Sequence, residues 1–197
     1  MGMSERQDQN TAEVYMDAAL SPGKEHFRRL VLLREGLIAD GEELEPQASW
    51  RLLDPEGQVG VEIAVLRANA RLVQAPLTYR PRPLEEGEGL LGEMEHSVLG
   101  TRYVYDARRD PAFPPLLAAA LREGAQPPRE RDPRTGETQP PQVRLEAAPG
   151  APAGAEFGLL LEPEAAEGDL TPGTLVGSWG EGERAGRAVL ARARGPR

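Results

Sequence analysis

Alternating apolar and polar positions predict several β-strands in the middle of the chain. The clearest alternation runs from Gln58 to Arg67, where Val59, Val61 and Ile63 share one side. Pro76 lies within a second such segment and predicts an edge or a bulge there, because it has no N–H to donate. The predicted strands are Trp50 to Leu53, Gln58 to Arg67, Arg71 to Arg80, Leu90 to Glu95 and Thr101 to Asp106.

Two segments with apolar residues at three- and four-residue spacing predict helices. The first covers Gly23 to Ile38, with Ser21 as its N-cap and the following proline at the first helical position. Its unbroken apolar run from Leu30 to Leu33 leaves a strand open as the alternative at that point. The second helix follows Asp110, which repeats the cap-plus-proline pattern, and ends at Gly124.

A proline-rich polar segment, residues 126–142, is interpreted as a flexible linker or a long surface excursion. Four short strands are predicted beyond it: Val143 to Ala147, Glu156 to Glu162, Thr174 to Trp179 and Ala188 to Arg192. The chain thus divides into a flexible N-terminus (1–20), a first domain (21–125), the linker and the C-terminal strands (143–197). Because the last part has few large apolar side chains, we expect it to extend the first sheet. The predicted fold class is α+β.

Composition narrows the range of functions. The net charge of -9 disfavours binding to nucleic acid or to an anionic membrane, since both need a basic surface. The chain has no cysteine, which excludes disulfides and thiolate chemistry. The sequence shows no segment typical of a signal peptide and none long enough to span a bilayer, so we expect a cytoplasmic protein.

Three stretches in the middle of the chain resemble a known family. They are Val59-Gly60-Val61-Glu62, Gln74-Ala75-Pro76-Leu77-Thr78-Tyr79-Arg80, and Leu90 to Asp106, which contains Glu95-His96-Ser97-Val98-Leu99-Gly100. In this order and spacing they are similar to the N-terminal cap domain of actinobacterial maltokinases and to stand-alone cap-like proteins. The resemblance extends from about Trp50 to Glu123.

The resemblance implies a curved antiparallel sheet packed on a helix, an arrangement likened to cystatins. It also implies an association with maltose, trehalose and α-glucan metabolism. In the full kinase this domain precedes the two lobes that bind ATP, and the chain ends before such lobes could begin. We therefore expect a non-catalytic protein that binds a separate kinase or α-glucan enzyme. Structural roles are implied for six motif residues: Pro76, Tyr79, Glu95, His96, Gly100 and Asp106.

Phosphate chemistry has little support in the sequence. Lys24 is the single lysine and lies in the first turn of a predicted helix, with no phosphate-binding loop beside it. The segment from Gly87 to Gly92 matches a dinucleotide-binding motif by its letters. The neighbouring Glu85 and Glu88 would repel phosphate, and the context predicts a loop leading into a strand. We expect no cofactor.

A hydrolytic carboxylate pair and a catalytic triad are also weakly supported. Glu62 and Glu95 are the best-placed carboxylates for glycoside hydrolysis, but nothing in the sequence fixes the distance between them. His96 has Ser97 and Asp106 nearby, yet neighbouring residues on a strand point to opposite faces. We therefore favour a His96 side chain that hydrogen-bonds the following turn. One histidine with scattered carboxylates is too few for a metal site.

Ligand binding is the alternative function. Tyr103 and Tyr105 share one side of their predicted strand, and if Val104 faces the helix they face outward beside Arg80 and Arg102. Such a face could contact a partner or stack on the glucose units of a maltooligosaccharide. Cross-strand packing of the aromatic rings is the competing interpretation. The first prediction remains a cap-like module that binds a partner protein.

Overall fold

The computed structural model describes residues 10–85, 87–151, 154–182 and 185–194. The helices are α1 (Lys24–Arg34) and α2 (Phe113–Glu123), and Ala107–Arg109 form a 3₁₀ turn. The strands are β1 (Thr11–Glu13), β2 (Leu20–Ser21), β3 (Leu44–Leu53), β4 (Gly60–Ala68), β5 (Arg71–Arg80), β6 (Leu90–His96), β7 (Gly100–Asp106), β8 (Arg129–Arg131), β9 (Thr138–Gln139), β10 (Val143–Ala147), β11 (Glu156–Ala165), β12 (Thr174–Trp179) and β13 (Gly186–Arg194).

A six-stranded antiparallel sheet, strongly curled into a half-barrel, forms the centre of the fold. Its strand order is β2-β6-β7-β5-β4-β3, and every strand predicted in the middle of the chain belongs to it. Pro76 pairs with Ile63 of β4 on one side, whereas the pairing with β7 begins only at Leu77. Pro76 therefore lies where β5 has a sheet neighbour on one side, as its missing N–H predicts.

Helix α1 packs on one face of this sheet. Phe27 and Val31 belong to an apolar cluster with Val104 of β7, and Leu32 belongs to a second cluster with Ala64 of β4. Burial of these side chains against the sheet holds the helix in place, because apolar area removed from water stabilises by about 25 cal/mol per Å². The predicted arrangement of a curved antiparallel sheet on a helix is confirmed.

The first helix is shorter than predicted, beginning at Lys24 and ending at Arg34. Ser21 pairs with Glu95 as part of β2 and so is not the N-cap. The chain turns left-handed soon after, at Gly36 (φ 67°), a conformation that glycine adopts without a steric penalty. The second helix ends at a left-handed Gly124, as predicted.

The C-terminal strands form an antiparallel sheet of their own, in the order β10-β12-β13-β11. All four strands lie where the sequence predicts them, but the arrangement differs from the predicted extension of the first sheet. The second sheet and α2 pack against the face of the first sheet that α1 leaves open. The shared core includes Trp50, Ile63, Leu117, Trp179 and Leu190. The division of the chain into domains stays a prediction.

A small three-stranded sheet joins the N-terminal segment to the proline-rich segment. Strand β1 pairs in parallel with β8, and β8 pairs with β9. Residues 10–20 and 126–142 thus contain paired strands, unlike the flexible N-terminus and the linker that the sequence predicts. Residues 1–9 lie outside the described residues. The buried Asp132 carboxylate accepts the Met16 N–H at 3.0 Å and pairs with Arg134 at 3.0 Å. Polar contacts therefore order segments that have few apolar side chains.

Candidate functional site

The single histidine of the motif, His96, holds the turn of the β6–β7 hairpin. His96 Nδ1 accepts hydrogen bonds from the backbone N–H groups of Val98 and Leu99, each at 3.2 Å. Burial and the nearby Arg102 lower the pKa of His96, which favours the neutral ring that such acceptance requires. The predicted hydrogen bond from His96 to its turn is confirmed.

Ser97 and Asp106 have partners other than His96. The Ser97 hydroxyl accepts the Ala19 N–H at 3.0 Å and thereby attaches the N-terminal segment to the hairpin. Asp106 accepts the backbone N–H of Arg108 at 3.0 Å and begins the 3₁₀ turn. These three residues are therefore not arranged as a Ser-His-Asp triad.

The two candidate carboxylates lie on opposite faces of the sheet. Glu95 pairs with Thr101, whose hydroxyl donates to it at 2.8 Å, on the face away from α1. Glu62 lies on the α1 face. They cannot flank one glycosidic bond.

Gly100 closes the hairpin in a left-handed conformation (φ 71°) that suits glycine.

Three of the four residues predicted as a ligand or partner face share one side of the sheet, and the fourth does not. Val104 packs on the α1 side, so Tyr103 and Tyr105 face the opposite side. Arg80 pairs with Tyr103 in the sheet register and shares that side. Arg102 is two residues from Val104 and therefore shares the α1 side instead.

Three of these side chains also have structural partners or are covered. Tyr105 is fully buried, and its hydroxyl accepts the Leu84 N–H at 2.9 Å. Arg80 Nε donates to the Asp110 carboxylate at 2.7 Å, and this contact raises the pKa of Arg80. Tyr103 is half-buried. Tyr105 therefore cannot join Tyr103 in a stacking platform, and its partners on the neighbouring strands are Thr78 and Leu90.

A buried ion cluster on the α1 face is the main feature that sequence reasoning missed. The Glu62 carboxylate, 2% exposed, bonds the charged groups of Lys24, Arg28 and Arg51, each at 2.6 Å. Arg51 also bonds Glu130 of β8 at 2.7 Å. Burial acts to raise the pKa of Glu62, but the three cations outweigh it and hold this pKa well below its usual value. The alternation of β4 indicated only that Glu62 belongs to a strand.

Tyr79 of the family motif lies beside this cluster. The Lys24 ammonium is 5.6 Å from the centroid of the Tyr79 ring, within range of a cation–π contact. The Tyr79 hydroxyl is buried and makes no hydrogen bond of normal geometry with the described residues. Burial and the neighbouring Glu62 carboxylate raise its pKa well above the usual value.

A cavity of about 590 Å³ opens between the N-terminal segment and the curled sheet, next to the cluster. Three cationic side chains, Lys24, Arg51 and Arg102, line it together with His96 and Tyr79. Apolar residues of the N-terminal segment, β3, β4 and the hairpin also line it, together with the carboxylates of Glu13 and Asp54. Within the described ranges, no group of three or more His, Asp or Glu side chains is placed to hold a metal ion. None of the helices there is long and apolar enough to cross a membrane.

The fold and the hairpin together define a small α+β module built on a curled antiparallel sheet. Residues 38–110 match the family model described as the maltokinase N-terminal cap domain. This match confirms the predicted resemblance, and the segment from β3 to the 3₁₀ turn is cap-like. It covers fewer than half of the 197 residues. No curated protein and no solved structure matches the chain. The actinobacterial origin and the likeness to cystatins stay predictions.

Proposed function

We propose that the protein is a non-catalytic, cap-like module of maltose, trehalose and α-glucan metabolism that works by binding a separate sugar kinase or glucan enzyme. The observation that supports this proposal is the match of residues 38–110 to a domain named for maltokinase. A cytoplasmic location, in keeping with a chain that has no cysteine, is part of the proposal.

The tip of the β6–β7 hairpin is the contact surface of this proposal. Val98 and Leu99 are 42% and 41% exposed, although both are large and apolar. The side chain of His96 fixes their backbone, and Ser97 is bonded to the N-terminal segment. A turn that is already rigid loses little conformational entropy on binding, so burial of its two apolar side chains favours association.

Calorimetric titration with a purified maltokinase tests the proposal. Replacing Val98→Ser together with Leu99→Ser is expected to weaken binding about tenfold or more, because two apolar contacts are lost. Leu90→Ser is the matched control. Leu90 is also an exposed apolar residue (36%), but it lies at the opposite end of β6. Its replacement is expected to leave the affinity unchanged.

Two results would overturn the proposal. One is the absence of binding to any kinase or glucan-active enzyme of the same organism. The other is turnover of ATP or of an oligosaccharide by the purified protein that a single side-chain replacement abolishes.

A further inference from the structure

We propose that the cavity between the N-terminal segment and the curled sheet binds a small organic anion, through Lys24, Arg51 and Arg102. Its volume of about 590 Å³ lies within the range of small-molecule sites in proteins. The inference goes beyond partner binding at the hairpin and does not depend on it.

The ion cluster beside the cavity has one more cation than it has carboxylates. In the ion cluster, Lys24, Arg28 and Arg51 face only two carboxylates, those of Glu62 and Glu130. Each of these cations is already bonded to a carboxylate, but together they are not neutralised. An anion bound against this cluster would therefore meet an excess of one positive charge, in surroundings that screen it less than bulk water does.

Arg102 adds a guanidinium with no carboxylate partner in the part of the chain that the structure describes. The hydrogen bond it donates there runs to the Thr101 carbonyl at 3.4 Å. The positive field is felt at His96, whose pKa is lowered first by burial and then by Arg102, Lys24 and Arg134. Such a half-buried guanidinium is well suited to a carboxylate or phosphate, which it can bind through two parallel hydrogen bonds.

Two acidic residues, Asp54 and Glu13, also lie on the walls and oppose this attraction. The Asp54 carboxylate accepts the backbone N–H groups of Gln58 and Val59, each at 2.9 Å, and is committed to the turn before β4. Glu13 is exposed to solvent at the end of β1. Charge at such an exposed position is largely screened.

Much of the remaining wall is apolar, which favours an organic anion over a simple inorganic ion. Val14, Leu20, Met94 and Leu99 contribute to it. The Tyr15 ring closes one side and meets the His96 ring edge-on, with 5.8 Å between the centroids. The expected ligand therefore has a carboxylate or phosphate ester at one end and a compact body at the other.

Calorimetric titration of the whole protein with three probes tests the site. Glucose 6-phosphate represents phosphate esters, citrate represents carboxylates, and glucose is the neutral control. At least one of the anions is expected to saturate the protein at millimolar concentration, and glucose is not. The two anions also show which acidic group the site prefers.

Arg102→Gln is the informative variant, because Arg102 has no ion pair in the described structure to lose. It is expected to weaken anion binding about tenfold, the usual effect of losing a charge-assisted hydrogen bond. Arg67→Gln removes the same charge from an exposed position on β4 that does not line the cavity. This control is expected to bind like the unmodified protein.

Proton NMR gives a readout that a purely structural role would not change. The chain has two histidines, and His26 is exposed on α1, so it is an internal reference. A bound anion offsets the cations that lower the pKa of His96 and is expected to raise that pKa.

Three outcomes would overturn the inference. These are failure of both anions to saturate at millimolar concentration, equal weakening by Arg102→Gln and Arg67→Gln, and equal binding of glucose and its phosphate. A pKa of His96 that does not respond to a saturating anion would place the binding elsewhere and would contradict it as well.

Discussion

Glu62 compensates three cations at once from a buried position on β4. Replacing Glu62→Gln keeps the shape of the side chain but leaves the positive charges of Lys24, Arg28 and Arg51 close together. The free energy of unfolding is expected to fall by about 3 kcal/mol, as when one partner of a buried pair is removed. Urea denaturation measures this change.

An exposed ion pair is the matched control for Glu62. Glu162 bonds Arg71 at 2.9 Å, and both side chains are about half exposed. Glu162→Gln is expected to change the free energy of unfolding by less than about 1 kcal/mol, because solvent screens the pair. Equal effects of the two replacements on the free energy of unfolding would contradict a stabilising role of Glu62 in the buried cluster.

The contribution of Glu62 also depends on pH. Its pKa is lowered in the folded protein, so its stabilising effect is fully present above the unfolded pKa of about 4.3 and is lost as the pH falls toward the lower folded value. The difference in unfolding free energy between the unmodified protein and Glu62→Gln is thus expected to shrink below about pH 4. A difference that stays constant down to pH 3 would show that charge is not its origin.

At the scale of secondary-structure elements, Gln74 connects β5 to the second sheet. Its amide oxygen accepts the Trp50 indole N–H at 3.1 Å, and its amide nitrogen donates to the carbonyls of Leu160 at 2.7 Å and Leu190 at 3.0 Å. Gln74→Leu leaves these groups buried and unpaired. Stability is expected to fall by about 2 kcal/mol or more, measured by thermal unfolding. The exposed Gln58→Leu is the control and is expected to have little effect.

The elements themselves were largely predictable, whereas their pairing was not. Alternation and turn residues locate β4, β5 and the four C-terminal strands because each signal is local. Strands β8 and β9 have no apolar pattern, so the sequence suggested a linker. Strand β8 pairs with the distant N-terminal strand β1, and β9 pairs with β8. Periodicity likewise cannot show that the C-terminal strands pack on the first sheet rather than beside it.

In the site as well, contacts between residues close in sequence could be predicted, whereas contacts between distant residues could not. The hydrogen bond of His96 reaches two and three residues along the chain and could be predicted. The cluster joins Glu62 to Lys24, which is 38 residues away, and no local pattern reports such a contact. Tyr105 was expected to face outward because alternation defines two faces of a strand. Alternation does not show that both faces of the sheet are covered at this point, so it could not predict that Tyr105 is buried.

At the scale of the whole molecule, the two larger sheets share one apolar core. Trp50 belongs to the first sheet and Trp179 to the second, and both are members of the same buried cluster. The variants Trp50→Phe and Trp179→Phe each leave one tryptophan to report on one sheet. Within each variant, fluorescence and circular dichroism are expected to give the same denaturation midpoint, because the sheets unfold together.

An earlier fluorescence transition in Trp50→Phe, where Trp179 is the reporter, would contradict this expectation. It would show that the C-terminal strands from residue 143 onward unfold independently and would support the predicted boundary there. Coincident transitions would instead favour a single cooperative unit that contains both sheets.

The single lysine of the chain affects how a bound protein can be detected. Lys24 bonds Glu62 and lies beside the Tyr79 ring, away from the hairpin tip, and burial lowers its pKa. Amine-reactive cross-linkers therefore have no lysine to capture at the hairpin tip, even when a complex has formed. Reagents that activate carboxylates suit this molecule better, because Glu93 and Glu95 are exposed on the strand that leads to Val98.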